Sequence, residues 1–499
     1  MDDLSSVLSA GRPGDSALVI ADDGEQITYS ALAARVETLA RRLAGLGVER
    51  GSRVAVALPN GPEIVELLLA ITFVGAAAAP LNPAYTRDEF AFYLDDIGPR
   101  LLLVPAGRIQ PARDAAGATP VVDVVAGEGA APDLIAGGQP VGEAATFTVA
   151  DADDIALVLH TSGTTSRPKQ VPLLHRNIVA SVRTIAGHYA LGADDVSFCV
   201  MPLFHVHGLI ASVLTAVHAG GTAVIPRRFT PNQFWPQARE RGATWLSAGP
   251  TLHHMILDRF DGAPAPATLR FVRSCSSALS PELMQRAESV YDAPMLEAYG
   301  MTEASHQMAS NPLPPAPRQP GSVGIATGTE IAVVDRTLRP VPAGQPGEVV
   351  VRGPSVTPGY LANPEANAEA FFDGWFRTGD IGSIDDGYLR LEGRLKEMIL
   401  RGGENISPAE IEAVLKRHPS VADAVCFGVA DEKYGERVSA AVTLEGDADE
   451  AALIAHCRNH LAAYKVPETV HVLAEIPRTA TGKVQRRRVA EHIASGSGR

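Results

Sequence analysis

The chain has few cysteines, and no two of them lie close together. Cys199, Cys275, Cys426 and Cys457 show no CxxC spacing, which argues against a disulfide framework or a zinc cage and fits reduced thiols in a cytoplasmic protein. Long apolar runs are missing as well. The longest, Leu67 to Pro80, is too short to span a bilayer and is rich in alanine, so it predicts a buried helix. Asp2 and Asp3 stand where a signal peptide would carry cations, and the final Ser-Gly-Ser-Gly-Arg resembles no address signal. Positive charge is not in excess either: 43 Lys and Arg face 57 Asp and Glu, for a net charge of -14. That balance argues against non-specific tracking of nucleic acid phosphates. The expectation is a cytoplasmic protein with no nucleic-acid and no membrane partner, in which an anionic ligand needs a local cationic pocket.

What is present is an ordinary globular composition, with 46% apolar and 20% charged residues over 499 positions. That length suggests about two to four domains. Short apolar strands such as Arg53 to Leu58 and Leu101 to Val104 alternate with helical stretches. Ser30 is placed to cap a helix whose Leu32, Val36, Leu39, Leu43 and Leu46 recur at helical spacing. After an Ala/Gly/Pro-rich stretch from Ala106 to Val149, strand-like segments follow at Val196 to Met201, Thr222 to Ile225, Thr244 to Ser247 and Leu269 to Arg273. Such alternation predicts an α/β body of parallel sheets flanked by helices. Beyond Arg318, strand-rich segments at Glu330 to Val334 and Gly347 to Arg352, separated by Pro/Gly turns, predict a small β subdomain. Ser407-Pro408 with Glu410 reads as a capping box opening a helix. The domain boundary falls at about residue 395, giving a large N-terminal domain of residues 1–394 and a small, mobile α+β C-terminal domain of residues 395–499.

The richest segment is Thr161-Ser162-Gly163-Thr164-Thr165-Ser166-Arg167-Pro168-Lys169. It follows the buried strand expected at Ile155 to Leu159. Its hydroxyls, backbone N–H groups and ammonium can wrap phosphate oxygens, and Gly163 lets the backbone approach them closely. A plain Ser/Thr-rich turn is the alternative. A Walker loop is not, because it requires GxxxxGK[ST] and no Gly-Lys pair occurs here. Further along, Thr302 and Glu303 offer a hydroxyl for phosphate and a carboxylate for a hard cation such as Mg²⁺. Asp380 and Arg394 offer an acceptor and a donor for sugar hydroxyls, and Lys483 sits in a polar tip rich in threonine.

These segments occur in order: the loop, Tyr299-Gly300-Met301-Thr302-Glu303, Trp375-Phe376-Arg377-Thr378-Gly379-Asp380, Gly393-Arg394 and Pro477-Arg478-Thr479-Ala480-Thr481-Gly482-Lys483. Together they resemble the adenylate-forming enzymes, the superfamily of acyl-CoA synthetases, peptide-synthetase adenylation domains and firefly luciferase, over the whole chain. The resemblance implies an ATP-dependent, Mg²⁺-requiring ligase that forms an acyl-adenylate and then a thioester with coenzyme A. It assigns the nucleotide to Thr161, Ser162, Gly163, Thr164, Thr165, Lys169, Ser277, Ala278, Glu297, Ala298, Tyr299, Gly300, Thr302, Asp380 and Arg394. Glu303 would hold Mg²⁺ and, with Thr302 and Lys483, serve catalysis. Lys483 would offset charge as carboxylate and α-phosphate meet. Lys396 would be the hinge of domain alternation, and Gly402, Gly403 and Glu404 would face the CoA channel.

Polar residues mark the region expected to hold the acid: His205, His207, Arg273, Ser274, Ser276, Ser277 and His306. If the backbone stays extended, His205 and His207 would present both rings to one cleft. The stretches Arg273 to Leu279 and Glu303 to Pro314, together with Ser166-Arg167, resemble the oxalate–CoA ligase branch of plants and fungi. A second carboxylate, once desolvated, must be paired or hydrogen-bonded, and His207, Ser276, His306 and Arg273 are the candidates for that role. Gln170 departs from the glycine usual after the loop lysine. Malonate or another short acid, transfer to a separate carrier protein, and a non-catalytic nucleotide-binding protein remain as alternatives. A monomer and a homodimer are both left open.

Overall fold

The computed structural model describes residues 3–161, 168–401, 404–431, 433–478 and 484–494. By contact density the chain divides into two compact units. The first comprises Met1–Pro320, Gly324–Glu330 and Val351–Phe376, and the second comprises Gly321–Val323, Ile331–Val350 and Arg377–Arg499.

Two large sheets organise the first unit. In the nine-stranded sheet the spatial order runs Ile325–Ala326, His306–Ser310, Met295–Met301, Phe271–Ser274, Trp245–Ala248, Val196–Cys199, Thr222–Ile225, Ser16–Ile20 and Gln26–Thr28. Its interior pairs are parallel. The edge pairs are antiparallel. The expected strands at Val196, Thr222, Thr244 and Leu269 are therefore present and lie in one sheet. Each is mostly buried, as an interior strand covered on both faces must be.

The eight-stranded sheet runs Lys169–Leu174, Ile155–Thr161, Ala77–Pro80, Arg53–Val56, Leu101–Pro105, Val121–Val125, Asp133–Ala136 and Gln139–Pro140. Two expectations need correction here. The apolar run Leu67 to Pro80 is not one helix: the helix Pro62–Phe73 ends, Gly75 turns the chain at φ +73°, and Ala77–Pro80 enters the middle of the sheet. Four small buried residues suit that interior position, where side chains from both faces crowd in. The Ala/Gly/Pro-rich stretch is not an interruption either, because it contributes the helix Gln110–Ala115 and the antiparallel strands that extend the sheet to its edge.

The helix with the Leu32/Val36/Leu39/Leu43 stripe spans Tyr29–Gly45 and buries those four residues. Its cap is Thr28 rather than Ser30: the Thr28 hydroxyl accepts from the Ala31 N–H at 3.2 Å. Among the described residues no helix is long and apolar enough to cross a membrane.

The strand-rich segment after Arg318 forms Glu330–Val334, Gly347–Arg352, Trp375–Asp385 and Tyr388–Arg394. A further sheet in the second unit orders Glu404–Ile406, Ile399–Arg401, Gly435–Leu444 and Val421–Asp431, with Thr469–Val472 parallel to Gly435–Leu444. Its core joins Ile399, Ile406, Ile411, Leu415, Val438 and Leu453. The expected capping box at Ser407 does not form. Its hydroxyl donates to the Glu392 carbonyl, and Glu410 instead pairs with Lys465 at 2.7 Å.

Candidate active site

The phosphate end is built on an antiparallel pair. Thr161 ends one strand and Lys169 begins the next, directly opposite each other in register. Ser162, Gly163, Thr164 and Thr165 lie outside the described residues. The Lys169 ammonium stands 4.6 Å from the centre of the Tyr360 ring, a cation–π contact. The Tyr360 hydroxyl donates to Glu303 Oε1 at 2.9 Å, and the Glu303 carbonyl accepts from the Thr357 N–H at 2.7 Å. Glu303 is buried in the short turn Thr302–Ala304, so the carboxylate is desolvated and held by a neutral donor. That environment fits a hard divalent cation.

Gln170, next to the lysine, is tied down at the base of the loop. Its amide donates to the Asp96 carbonyl at 2.7 Å and to the Asp96 carboxylate at 2.8 Å, and His160 meets the same carboxylate at 2.9 Å.

Glu297, Ala298, Tyr299 and Gly300 follow one another on the strand Met295–Met301. Ser277 and Ala278 are exposed, and the Leu279 N–H just beyond them donates to Glu297 Oε1 at 3.2 Å. Burial pushes the Glu297 carboxyl up to about 7, more than that one donor offsets. At Gly300 a Cβ would stand 2.2 Å from the His306 carbonyl oxygen. Glycine is therefore required for the chain segment carrying His306 to pack so closely.

All four acid-site candidates are brought together at the ends of neighbouring strands. His207 Nδ1 lies 3.0 Å from Ser276 Oγ, and its Nε2 lies 2.7 Å from Ser247 Oγ. Arg273, fully buried, donates to Ser247 Oγ at 2.7 Å, to the Tyr189 hydroxyl at 3.0 Å and to His306 Nδ1 at 3.2 Å. The His207 and His306 rings sit 4.8 Å apart. Ser276, Ser305 and His306 all have positive φ, at 78°, 51° and 97°. For residues other than glycine such backbones cost of order 1–3 kcal/mol each and cluster at functional sites. Here they are pinned by hydrogen bonds: Ser181 donates to the Ser305 carbonyl at 2.6 Å, and the Ser305 hydroxyl donates to the Ser355 carbonyl at 2.9 Å.

The backbone after His205 is not extended. Val206–Gly208 is helical and continues into the π-helical turns of Leu209–Leu214. His207 turns into the core, while the His205 ring packs beside Phe204. Sequence reasoning missed Ser247, Tyr189 and Tyr360. The signal available for Ser247 was a polar residue inside an otherwise apolar strand.

In the second unit, Asp380 and Arg394 face each other in register on antiparallel strands and form an ion pair, Arg394 Nε to Asp380 Oδ1, at 3.0 Å. Lys396 is exposed in the turn Leu395–Glu397. Glu397 pairs with Arg486 at 3.5 Å. Glu404 is exposed and opposite Arg401 in register. Gly402, Gly403 and Lys483 lie outside the described residues.

Residues 8–361 match the AMP-binding enzyme family, and residues 410–483 match the AMP-binding enzyme C-terminal domain. An oxalate–CoA ligase of Arabidopsis thaliana is 47% identical, with 94% of this chain and 93% of the relative aligned. One of Saccharomyces cerevisiae is 41% identical, with 90% and 88% aligned. The o-succinylbenzoate coenzyme A synthetase of Bacillus subtilis, solved with ATP and a magnesium ion, superposes with a TM-score of 0.86 at 27% identity, over 98% of each chain. A buried carboxylate beside a loop lysine, a strand carrying the Tyr299-Gly300 motif and two matching domain signatures leave one conclusion: the chain belongs to the AMP-binding enzyme family.

Proposed function

We propose that this enzyme is an ATP-dependent acid–CoA ligase that converts oxalate to oxalyl-CoA. The observation that carries the acid assignment is Arg273, a fully buried guanidinium whose partners among the described residues are a serine, a tyrosine and a histidine rather than a carboxylate. A buried cation is costly unless an anion neutralises it. A short dicarboxylate fits beside the hydrogen-bonding groups of His207, Ser276 and His306, whereas a fatty acid would leave those groups desolvated and unsatisfied. The identity to oxalate–CoA ligases at 47% and 41% supports the same acid.

In the first half-reaction a carboxylate oxygen attacks the α-phosphorus of ATP, the bond to the β-phosphate oxygen breaks, and pyrophosphate leaves. In the second, the CoA sulfur attacks the acyl carbon, the bond to the AMP oxygen breaks, and AMP leaves. Thr161, Ser162, Gly163, Thr164, Thr165 and Lys169 are assigned the pyrophosphate end, Tyr299 the adenine, and Asp380 with Arg394 the ribose. Lys483 offsets the mutual repulsion of carboxylate and phosphate. Glu303 would hold Mg²⁺, whose charge, when bound, screens the phosphates. Functionally the chain is divided at residues 394 and 395, with Lys396 as hinge and Gly402, Gly403 and Glu404 toward CoA. An acid panel followed by pyrophosphate release tests the proposal: oxalate should be turned over in preference to malonate and octanoate, with AMP formed only when ATP and CoA are both present. Preference for malonate or octanoate would sink the acid assignment, and failure to form AMP with any acid would sink the ligase.

A further inference from the structure

The hydrogen-bond directions around Arg273 are determined by chemistry. A guanidinium only donates. His306 Nδ1, 3.2 Å from Arg273, therefore accepts, and the neutral His306 ring carries its hydrogen on Nε2. Ser247 Oγ accepts from Arg273 at 2.7 Å. That hydroxyl is fully buried, and its only other partner among the described residues is His207 Nε2 at 2.7 Å. A buried hydroxyl hydrogen needs an acceptor, so Ser247 donates to His207 Nε2. His207 is then neutral and protonated on Nδ1, from which it donates to Ser276 Oγ at 3.0 Å. The half-buried Ser276 hydroxyl, held at φ 78°, has its oxygen occupied and its own hydrogen left to give, with no acceptor among the described residues.

We propose that Arg273 and Ser247 are positioning residues that set the direction of two hydrogen-bond relays, Arg273 to His306 and Arg273 through Ser247 and His207 to Ser276. The second relay ends in the Ser276 hydroxyl as a donor, so the site accepts an anion at the acid's distal end and disfavours acids that lack a second carboxylate. The naming of that anion as the second carboxylate of oxalate rests on the ligase reading above; the direction of the relays does not. Neither Arg273 nor Ser247 need touch the acid. Their contribution is to fix which nitrogen of each histidine holds the proton.

The test has two arms on the full-length protein. The first uses ¹⁵N-histidine labelling and long-range ¹⁵N–¹H NMR without any acid, with His207→Gln and His306→Gln for assignment. The expected tautomers are Nδ1–H for His207 and Nε2–H for His306. Ser247→Ala should shift His207 away from Nδ1–H, Ser247→Thr should restore it, and Arg273→Met should release His306. A proton on His306 Nδ1, or tautomers unmoved by Ser247→Ala, overturns the proposal. The second arm measures kcat/KM for oxalate against acetate. Arg273→Met and Ser247→Ala should lower that ratio on the order of 100-fold, with Ser247→Thr close to the parent. If the tautomers are as stated but no dicarboxylate is activated by the parent enzyme, the ligase reading on oxalate fails while the relay stands. If oxalate is activated and the ratio is unmoved by both variants, the relay fails while the ligase stands.

Discussion

Two arginines of the first unit are treated in opposite ways. Arg35 reaches from the helix Tyr29–Gly45 to Glu66 at 3.0 Å, and that carboxylate is buried to 1% exposure. Arg273 is more deeply buried, and its hydrogen-bond partners among the described residues are all neutral groups. Arg35 matches a charge within the chain and joins the helices Tyr29–Gly45 and Pro62–Phe73, a structural task. Arg273 leaves its charge to be matched by something that arrives. Burial of a guanidinium therefore says little about function until its partner is named, and the absence of a carboxylate partner is the informative part.

Arg35→Met should have the largest effect on stability. It strands Glu66, and breaking a buried pair from one side costs about 4 kcal/mol. Burial already pushes the Glu66 carboxyl up to about 7 despite Arg35, so without the arginine the group protonates still more readily. The deficit in unfolding midpoint should accordingly be large at pH 8 and shrink toward pH 5, where the carboxyl is neutral. The ratio of oxalate to acetate turnover should stay that of the parent. Arg273→Met should do the reverse, lowering that ratio with a smaller loss of midpoint. A swap of these outcomes would break the comparison.

Glu297 sharpens it from the side of negative charge. It is a buried carboxyl with one backbone donor on Oε1 and no partner on Oε2 among the described residues. Its value of about 7, against an ordinary 4.5, means that between those limits the folded protein holds a proton that the unfolded chain has released. Stability from this group is thus fully present below about 4.5 and lost as pH rises through about 7, by roughly 3 kcal/mol in all. Glu297→Gln removes the titration. Denaturant midpoints at pH 5 and pH 8 should differ less in the variant than in the parent, and an unchanged difference would show that Glu297 is not the carried proton.

How much of this was legible beforehand follows the same division. The strands at Val196, Thr222, Thr244 and Leu269 could be read from apolar runs, because parallel strands buried on both faces leave no other pattern. The break inside Leu67 to Pro80 could not, since alanine suits a helix and a crowded strand equally and only packing decides. His207, Ser276, His306 and Arg273 were legible as unusual polar residues. Their arrangement was not: Ser247 and Tyr189 come from other strands and helices, and no local spacing signals a contact across the sheet. The helical turn at Val206–Gly208 also overrode the extended backbone that Met201 to Gly208 suggested, turning one histidine inward. Ser407 failed as a cap because the Glu392 carbonyl, from a neighbouring strand, competes for its hydroxyl.

The smallest effect is expected at Tyr360, whose hydroxyl donates to the buried Glu303 carboxylate. Tyr360→Phe removes the hydroxyl but keeps the ring that stands 4.6 Å from the Lys169 ammonium. One hydrogen bond to a carboxylate lost beside a bound cation should cost about 1 kcal/mol, since the cation continues to satisfy the charge. KM for MgATP should therefore rise about 5-fold, with kcat and the oxalate preference little changed. Tyr360→Ala, which removes the ring as well, should do worse by the loss of the cation–π contact. If Phe and Ala behave alike, the ring contributes nothing at the lysine and the hydroxyl on Glu303 carries the whole effect. If Tyr360→Phe alters the choice of acid, the phosphate end and the acid end are coupled, and the separation of their two charges into independent tasks does not hold.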